Sequence, residues 1–165
     1  MHQMFSTDDS VAPLMLRVGL GSVMFAHGAQ KLLGWFGGNG FDGTMGFFTG
    51  ALGLPWIIGF LVIVGESFGA VGLMAGCLTR FTAASFIVIM LGAIPQHWAQ
   101  GFFMNWFGHQ QGEGFEFHML VIAMSLALLV TGGGKWSVDG AIARQLEAQP
   151  AMRPMVKGEA FGVRS

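Results

Sequence analysis

Eight basic, nine acidic and five histidine side chains are spread over 165 residues, and the few that interrupt apolar runs are the ones with chemical potential. Glu66 stands alone in GFLVIVGESFGAVGLMAG. An ionised carboxylate in hydrocarbon is costly, so it must pair, take up a proton or face water. Two readings follow: a proton relay or ligand group, or a clamp that ties helices together through Lys31 or a histidine. Arg17, Leu20, Met24, His27 and Lys31 recur at steps of three and four, so they share one helical face. A face bearing His27 and Lys31 at lipid depth must look inward. Imidazole titrates near neutrality, which suits His27 to proton exchange with a bound headgroup; a satisfied structural histidine is the other reading. Arg17 and Lys31, near helix ends, are expected to snorkel. His97, Glu116 and His118 complete the set. Glu116 and His118, two apart, cannot share a face, so one points inward and the other belongs to the rim or a helix cap.

The elements that would carry these residues are apolar and long. Four stretches, 14–33, 55–77, 81–98 and 115–131, approach the roughly 17 to 25 residues that cross a bilayer as helix. The expected fold is therefore all-α, a four-helix transmembrane bundle. Composition agrees: 53% of residues are hydrophobic and 10% charged, against about 25% charged in soluble domains. A net charge of -1 removes nucleic acid as an obvious partner and leaves the lipid bilayer as the environment. Cys77, the sole cysteine, forms no intrachain disulfide. Two longer links, 34–54 and 99–114, are rich in Gly, Phe and Trp and read as loops or half-helices in the interface on the non-cytoplasmic side. Thr79 and Arg80 leave room only for a tight hairpin between spans two and three.

Arg17, Arg80, Lys135 and Arg144 lie toward one side and Lys31 toward the other, so the positive-inside rule makes both termini cytoplasmic. Asp8 and Asp9 without a basic cluster do not resemble a cleaved signal peptide, and the first span is expected to stay as an anchor. Residues 141–165 read as a polar cytoplasmic tail. Gly65, Gly69, Gly72 and Gly76 form a close-packing seam, within one chain or between copies, which leaves a homo-oligomer open. His27-Gly-Ala-Gln30 with Trp35-Phe36-Gly37 is echoed by His97-Trp-Ala-Gln100 with Trp106-Phe107-Gly108, through an old duplication or through shared interface composition. CxxC, CxxCH, HExxH and nucleotide-loop patterns are absent. A b-type haem or copper between His27, His97 and His118 stays open, since such ligands come from separate helices at one depth.

LMLRVGLG, FAHGAQKLLGWFGG, GLPW, VGESFGAVGLMAGCLTR, the stretch from His97 to Phe103, EGFEFHMLVIAM and GGGKWSVD resemble the DoxX family of small membrane proteins over about 14 to 139. Arg17, His27, Lys31, Glu66, Arg80, His97 and Glu116 occur in order on the right spans. The resemblance implies a four-helix integral membrane protein of the bacterial cytoplasmic membrane. Some relatives act as subunits of quinone- or quinol-linked oxidoreductases, thiosulfate:quinone oxidoreductase among them. It brings no agreed catalytic set, so the site rests on depth, face and charge. The expectation is a quinone or quinol headgroup in the outer half of the bundle. His27, His97 and Glu116 would meet its oxygens, Glu66 would conduct protons, and Lys31, Trp35, Phe36, Trp106 and His118 would line the pocket. A redox partner subunit would supply the electrons. The competing expectation is a scaffold, assembly factor or small-solute carrier in which Glu66 and His27 only clamp the bundle.

Overall fold

Apolar runs punctuated by Gly and Pro become helices, and the computed structural model contains no strand among the described residues, Thr7 and 10–148. Six helices follow in order: α1 (Ala12–Leu33), α2 (Gly40–Gly46), α3 (Trp56–Ala75), α4 (Thr79–His97), α5 (Glu116–Thr131) and α6 (Val138–Ala148). Pro13 sits in the first turn of α1, where its missing N–H costs nothing. Gly34 closes that helix in the left-handed region, φ 72°, donating its N–H to the Ala29 carbonyl. Pro55 precedes α3 and Gly132 follows α5. Pro95 lies in the last turn of α4, which ends at His97 and tightens into the 3-10 turn Trp98–Gln100.

Leu20 and Met24 of α1, Ala70 and Leu73 of α3, Ala83, Phe86 and Met90 of α4, and Val121 and Leu128 of α5 form one buried core. Helix α1 packs chiefly on α3, and α4 packs chiefly on α5. The glycine seam packs within the chain. A Cβ on Gly65 would meet Ile89 Cδ1 at 3.1 Å, and one on Gly69 would meet Thr82 Cγ2 at 3.3 Å, both on α4. Gly21 and Gly28 make a second seam on α1. A Cβ on Gly28 would overlap the Glu66 carbonyl, so α1 and α3 touch backbone to backbone there.

Two elements add to the sequence reading, the first as one of its half-helices and the second in place of a tail. The link after α1 folds into α2 and a π-helical turn, Phe47–Ala51, because Met45 and Phe48 can bury against Ile63 of α3. Residues 138–148, partly assigned to a polar tail, form α6 with Asp139, Gly140 and Ala143 buried; the rest of that tail, with Asp8 and Asp9, lies outside the described residues. Two helices are long and apolar enough to cross a membrane, Trp56–Ala75 and Thr79–Gln100, while Glu116–Thr131 is apolar but shorter. The α1 helix has the length, with 22 residues, but carries Arg17, His27, Gln30 and Lys31. Around the core the surface is apolar: Met15, Phe68, Phe81, Val88 and Val130 all face outward.

Candidate functional site

The α1 face that includes Arg17, Leu20, Met24, His27 and Lys31 does turn inward, with the first three fully buried. Near its end, Lys31 Nζ lies 2.5 Å from Glu66 Oε2, the Lys31 side chain one quarter exposed and that of Glu66 almost wholly covered. Lys31 therefore does not snorkel freely, because a counter-charge stands within reach and outcompetes the longer route to water. Glu66 is carried by the π-helical turn Gly65–Gly69, a local widening often found where a helix must re-aim a side chain. The adjacent Ser67 Oγ donates to the Gly28 carbonyl at 3.1 Å and fastens α1 to α3 beside the ion pair.

Histidines from three helices gather near this pair. The His97 and His118 ring centroids are 4.6 Å apart, and His97 Nδ1 lies 2.9 Å from the Glu113 carbonyl. His27 packs on Phe117 at 5.1 Å, and Phe117 meets His118 edge-on at 5.6 Å. His97, His27 and Lys31 all act electrostatically on His118, and the Phe115 backbone adds a hydrogen-bonding interaction with its ring. His118 is 8% exposed, yet its Nδ1 has no hydrogen bond of acceptable geometry. Buried polar atoms are normally paired, so such an atom marks a place for a polar ligand or relay.

Other residues named from the sequence stand elsewhere. Of Glu116 and His118, the histidine turns inward, while Glu116 Oε2 accepts the Met104 N–H at 3.1 Å at the rim. Glu113 likewise accepts the Asn105 N–H at 2.7 Å, so two carboxylates hold the loop between α4 and α5. Trp35, Phe36 and Trp106 are 53%, 68% and 73% exposed, their rings at the surface rather than among the histidines. Beside Lys31 opens a cavity of about 290 Å³ whose polar lining comes from Gln30, Asn39 and Thr44, with Phe47 and Phe48 opposite. A second space of about 290 Å³, between α1 and α3, is lined mostly by apolar residues, Phe25, Leu32, Leu33, Phe68 and Val71, with Ser67 among them. No three His, Cys, Asp or Glu converge as metal ligands among the described residues.

The opposite end holds a second buried charge cluster. Arg17 Nε donates to Gly133 O at 2.9 Å and Nη2 to Trp136 O at 3.0 Å, and Nη1 bonds the Met74 carbonyl. Arg17 is thus held by backbone acceptors instead of snorkelling. Asp139, 2% exposed, lies in its field and accepts the Leu78 and Thr79 N–H groups, each at 2.8 Å. The sequence reading assigned Asp139 no role. An acid just after a Gly run, on the side that holds Arg17, was the available signal.

The DoxX family model matches residues 12–109. A Bacillus subtilis (strain 168) protein named "Putative oxidoreductase CatD" is 30% identical over 129 residues, covering 78% of this chain and 85% of its own length. No solved structure matches the chain.

Proposed function

The chain belongs to the DoxX family of membrane proteins, and from that premise we propose a membrane subunit of a quinone- or quinol-linked oxidoreductase. It binds the headgroup at the Lys31 end of a four-helix transmembrane bundle made by α1, α3, α4 and α5. The observation that carries this reading is the buried, unpartnered Nδ1 of His118, set against His97 and close to His27 and the Lys31–Glu66 pair.

Quinone carbonyls accept hydrogen bonds and quinol hydroxyls donate them, so both states need neighbours that can exchange a proton. His118 does either, according to which ring nitrogen carries hydrogen. Lys31 donates, and Glu66 holds a proton released nearby. The polar cavity beside Lys31 admits the headgroup, and the apolar space between α1 and α3 suits an isoprenoid tail. When bound, the quinone supplies the two-electron chemistry; a partner redox subunit supplies the electrons. Both termini face the bacterial cytoplasm, following the Lys and Arg distribution.

Solvent extraction of the purified protein, followed by titration with short-chain ubiquinone and menaquinone analogues read by tryptophan fluorescence, tests the reading. Wild type should bind saturably, and Glu66→Gln should weaken binding about tenfold, the effect of one lost hydrogen bond. No extracted quinone together with no saturable titration overturns it. The direct Lys31–Glu66 contact favours one competitor, a non-catalytic scaffold clamped by that pair. In that case Glu66→Gln lowers folded yield while each folded molecule supports its partner's activity undiminished.

A further inference from the structure

Beyond the headgroup site, the unpaired polar groups in the core follow a line. Among the described residues, the buried side-chain polar atoms without a hydrogen-bond partner are Gln100 Oε1, His118 Nδ1, Ser125 Oγ and Thr79 Oγ1. All four come from α4, its terminal turn or α5, two helices that pack chiefly on each other. They are also ordered along the bundle axis. Gln100 and His118 lie at the Lys31 end, and Ser125 lies seven residues further along α5, about 10 Å at 1.5 Å per residue. Thr79 opens α4 at the Arg17 end. Thr82, buried and one turn from Thr79, stands on the same face of α4. The α4–α5 level is fixed independently by Arg80 Nε, which donates to the Leu129 carbonyl at 2.8 Å. Thr79 then reaches the charged cluster directly, its backbone N–H bonding Asp139 Oδ2.

An apolar interface needs no hydroxyls. Serine and threonine inside helices normally turn back to the carbonyl four residues earlier, as Ser22, Ser85 and Thr131 do here. Ser125, fully buried, makes no such bond. Its oxygen is therefore free to take part in a relay.

We infer that the α4–α5 interface is a proton path joining Thr79 at one end to His118 at the other through Ser125. Each hydroxyl accepts a proton on an oxygen lone pair as it releases its own, so no group keeps a charge after passage. His118 accepts at Nδ1 and releases from Nε2, and water entering the interface completes the steps longer than a hydrogen bond. Phe86, Val121 and Leu128, all buried between these groups, keep the flux far below that of an open pore. The path rests on the proposed function only for the use made of the proton.

The test is therefore run without quinone: full-length protein in phosphatidylcholine–phosphatidylglycerol vesicles, with proton entry driven by a potassium diffusion potential and read by a pH-sensitive dye. Wild type should exceed protein-free vesicles. Ser125→Ala should cut the flux about tenfold, as one missing hydrogen bond would, whereas Ser125→Thr and the lipid-side control Ser85→Ala keep it. Thr79→Val against Thr79→Ser provides a second pair should Ser125→Ala fail to insert. Wild-type flux equal to that of empty vesicles, or wild-type flux in both Ser125→Ala and Thr79→Val, overturns the path. Either result leaves quinone titration of the same preparation to decide the headgroup site separately.

Discussion

The two ends of the molecule bury charge in opposite ways. At the Arg17 end the guanidinium is held by carbonyls of Gly133, Met74 and Trp136, and Asp139 is held by the Leu78 and Thr79 amides. Backbone partners cannot swing away, so this end is a fixed knot joining α1, α3, α4 and the turn before α6. At the Lys31 end the charges meet each other directly, side chain to side chain, beside an open cavity and an unpaired imidazole nitrogen. Side-chain partners can rotate, exchange protons or be displaced by a ligand. A buried cation near a carboxylate is fixed where the backbone saturates both groups and can rearrange where it does not.

The largest expected effect comes from breaking the knot. Asp139→Ala strands two amide donors and leaves the Arg17 charge without its counter-ion, which should cost about 3–5 kcal/mol. Thermal unfolding in detergent checks it; a melting curve superimposed on wild type would erase the contrast between the ends. Leu78 sharpens the point. It holds φ 52° at the start of α4, a left-handed conformation that leucine rarely adopts, and its N–H is one of those Asp139 binds. Loss of the carboxylate should therefore also loosen the α3–α4 turn, visible as faster amide exchange at Leu78 and Thr79.

Much of the Lys31 end could be read from the sequence, because it is written in periodicity. The three- and four-residue steps from Arg17 to Lys31 turn one α1 face inward, and the lone Glu66 in an apolar run had to find a partner there. The Arg17 end was far less legible. Its partners are carbonyls and amides, which every residue carries, so side-chain types give no hint of them. Aromatic residues misled for a related reason: Trp35, Phe36 and Trp106 have the composition of a pocket wall, but composition does not say which side of a short Gly-rich turn faces the core. Phe36, at φ 52° beside Gly37, is directed by that turn. Helix α6 escaped because it is short and stabilised by what it packs on, the Arg17 knot, rather than by its own pattern.

An intermediate effect separates the members of the ion pair. Lys31→Met leaves Glu66 covered and without its counter-charge and should cost about 2–3 kcal/mol, below the fully buried case because Lys31 is partly exposed. Glu66→Leu leaves only a lysine that can extend to water, at about 1 kcal/mol. The double variant should return close to wild type, since an apolar pair fills the same space. Melting temperatures of the four proteins close the cycle; additive losses would mean that the two side chains do not depend on one another and that this end is as fixed as the other.

The smallest change in stability is expected where the functional loss is greatest. Replacing His118 by Phe removes an imidazole whose Nδ1 makes no well-aligned hydrogen bond and substitutes a ring of similar shape against His97 and Phe117. An unsatisfied buried polar atom costs free energy, so its removal offsets any loss of packing, and the net effect should stay within about 1 kcal/mol. Quinone titration and proton flux should both fall, because the same atom is the terminus of one and a contact of the other. A marked drop in melting temperature would instead mean that His118 is held by contacts the fold needs. The Lys31 end would then be a second knot, and the difference between the two ends would be one of partner type alone.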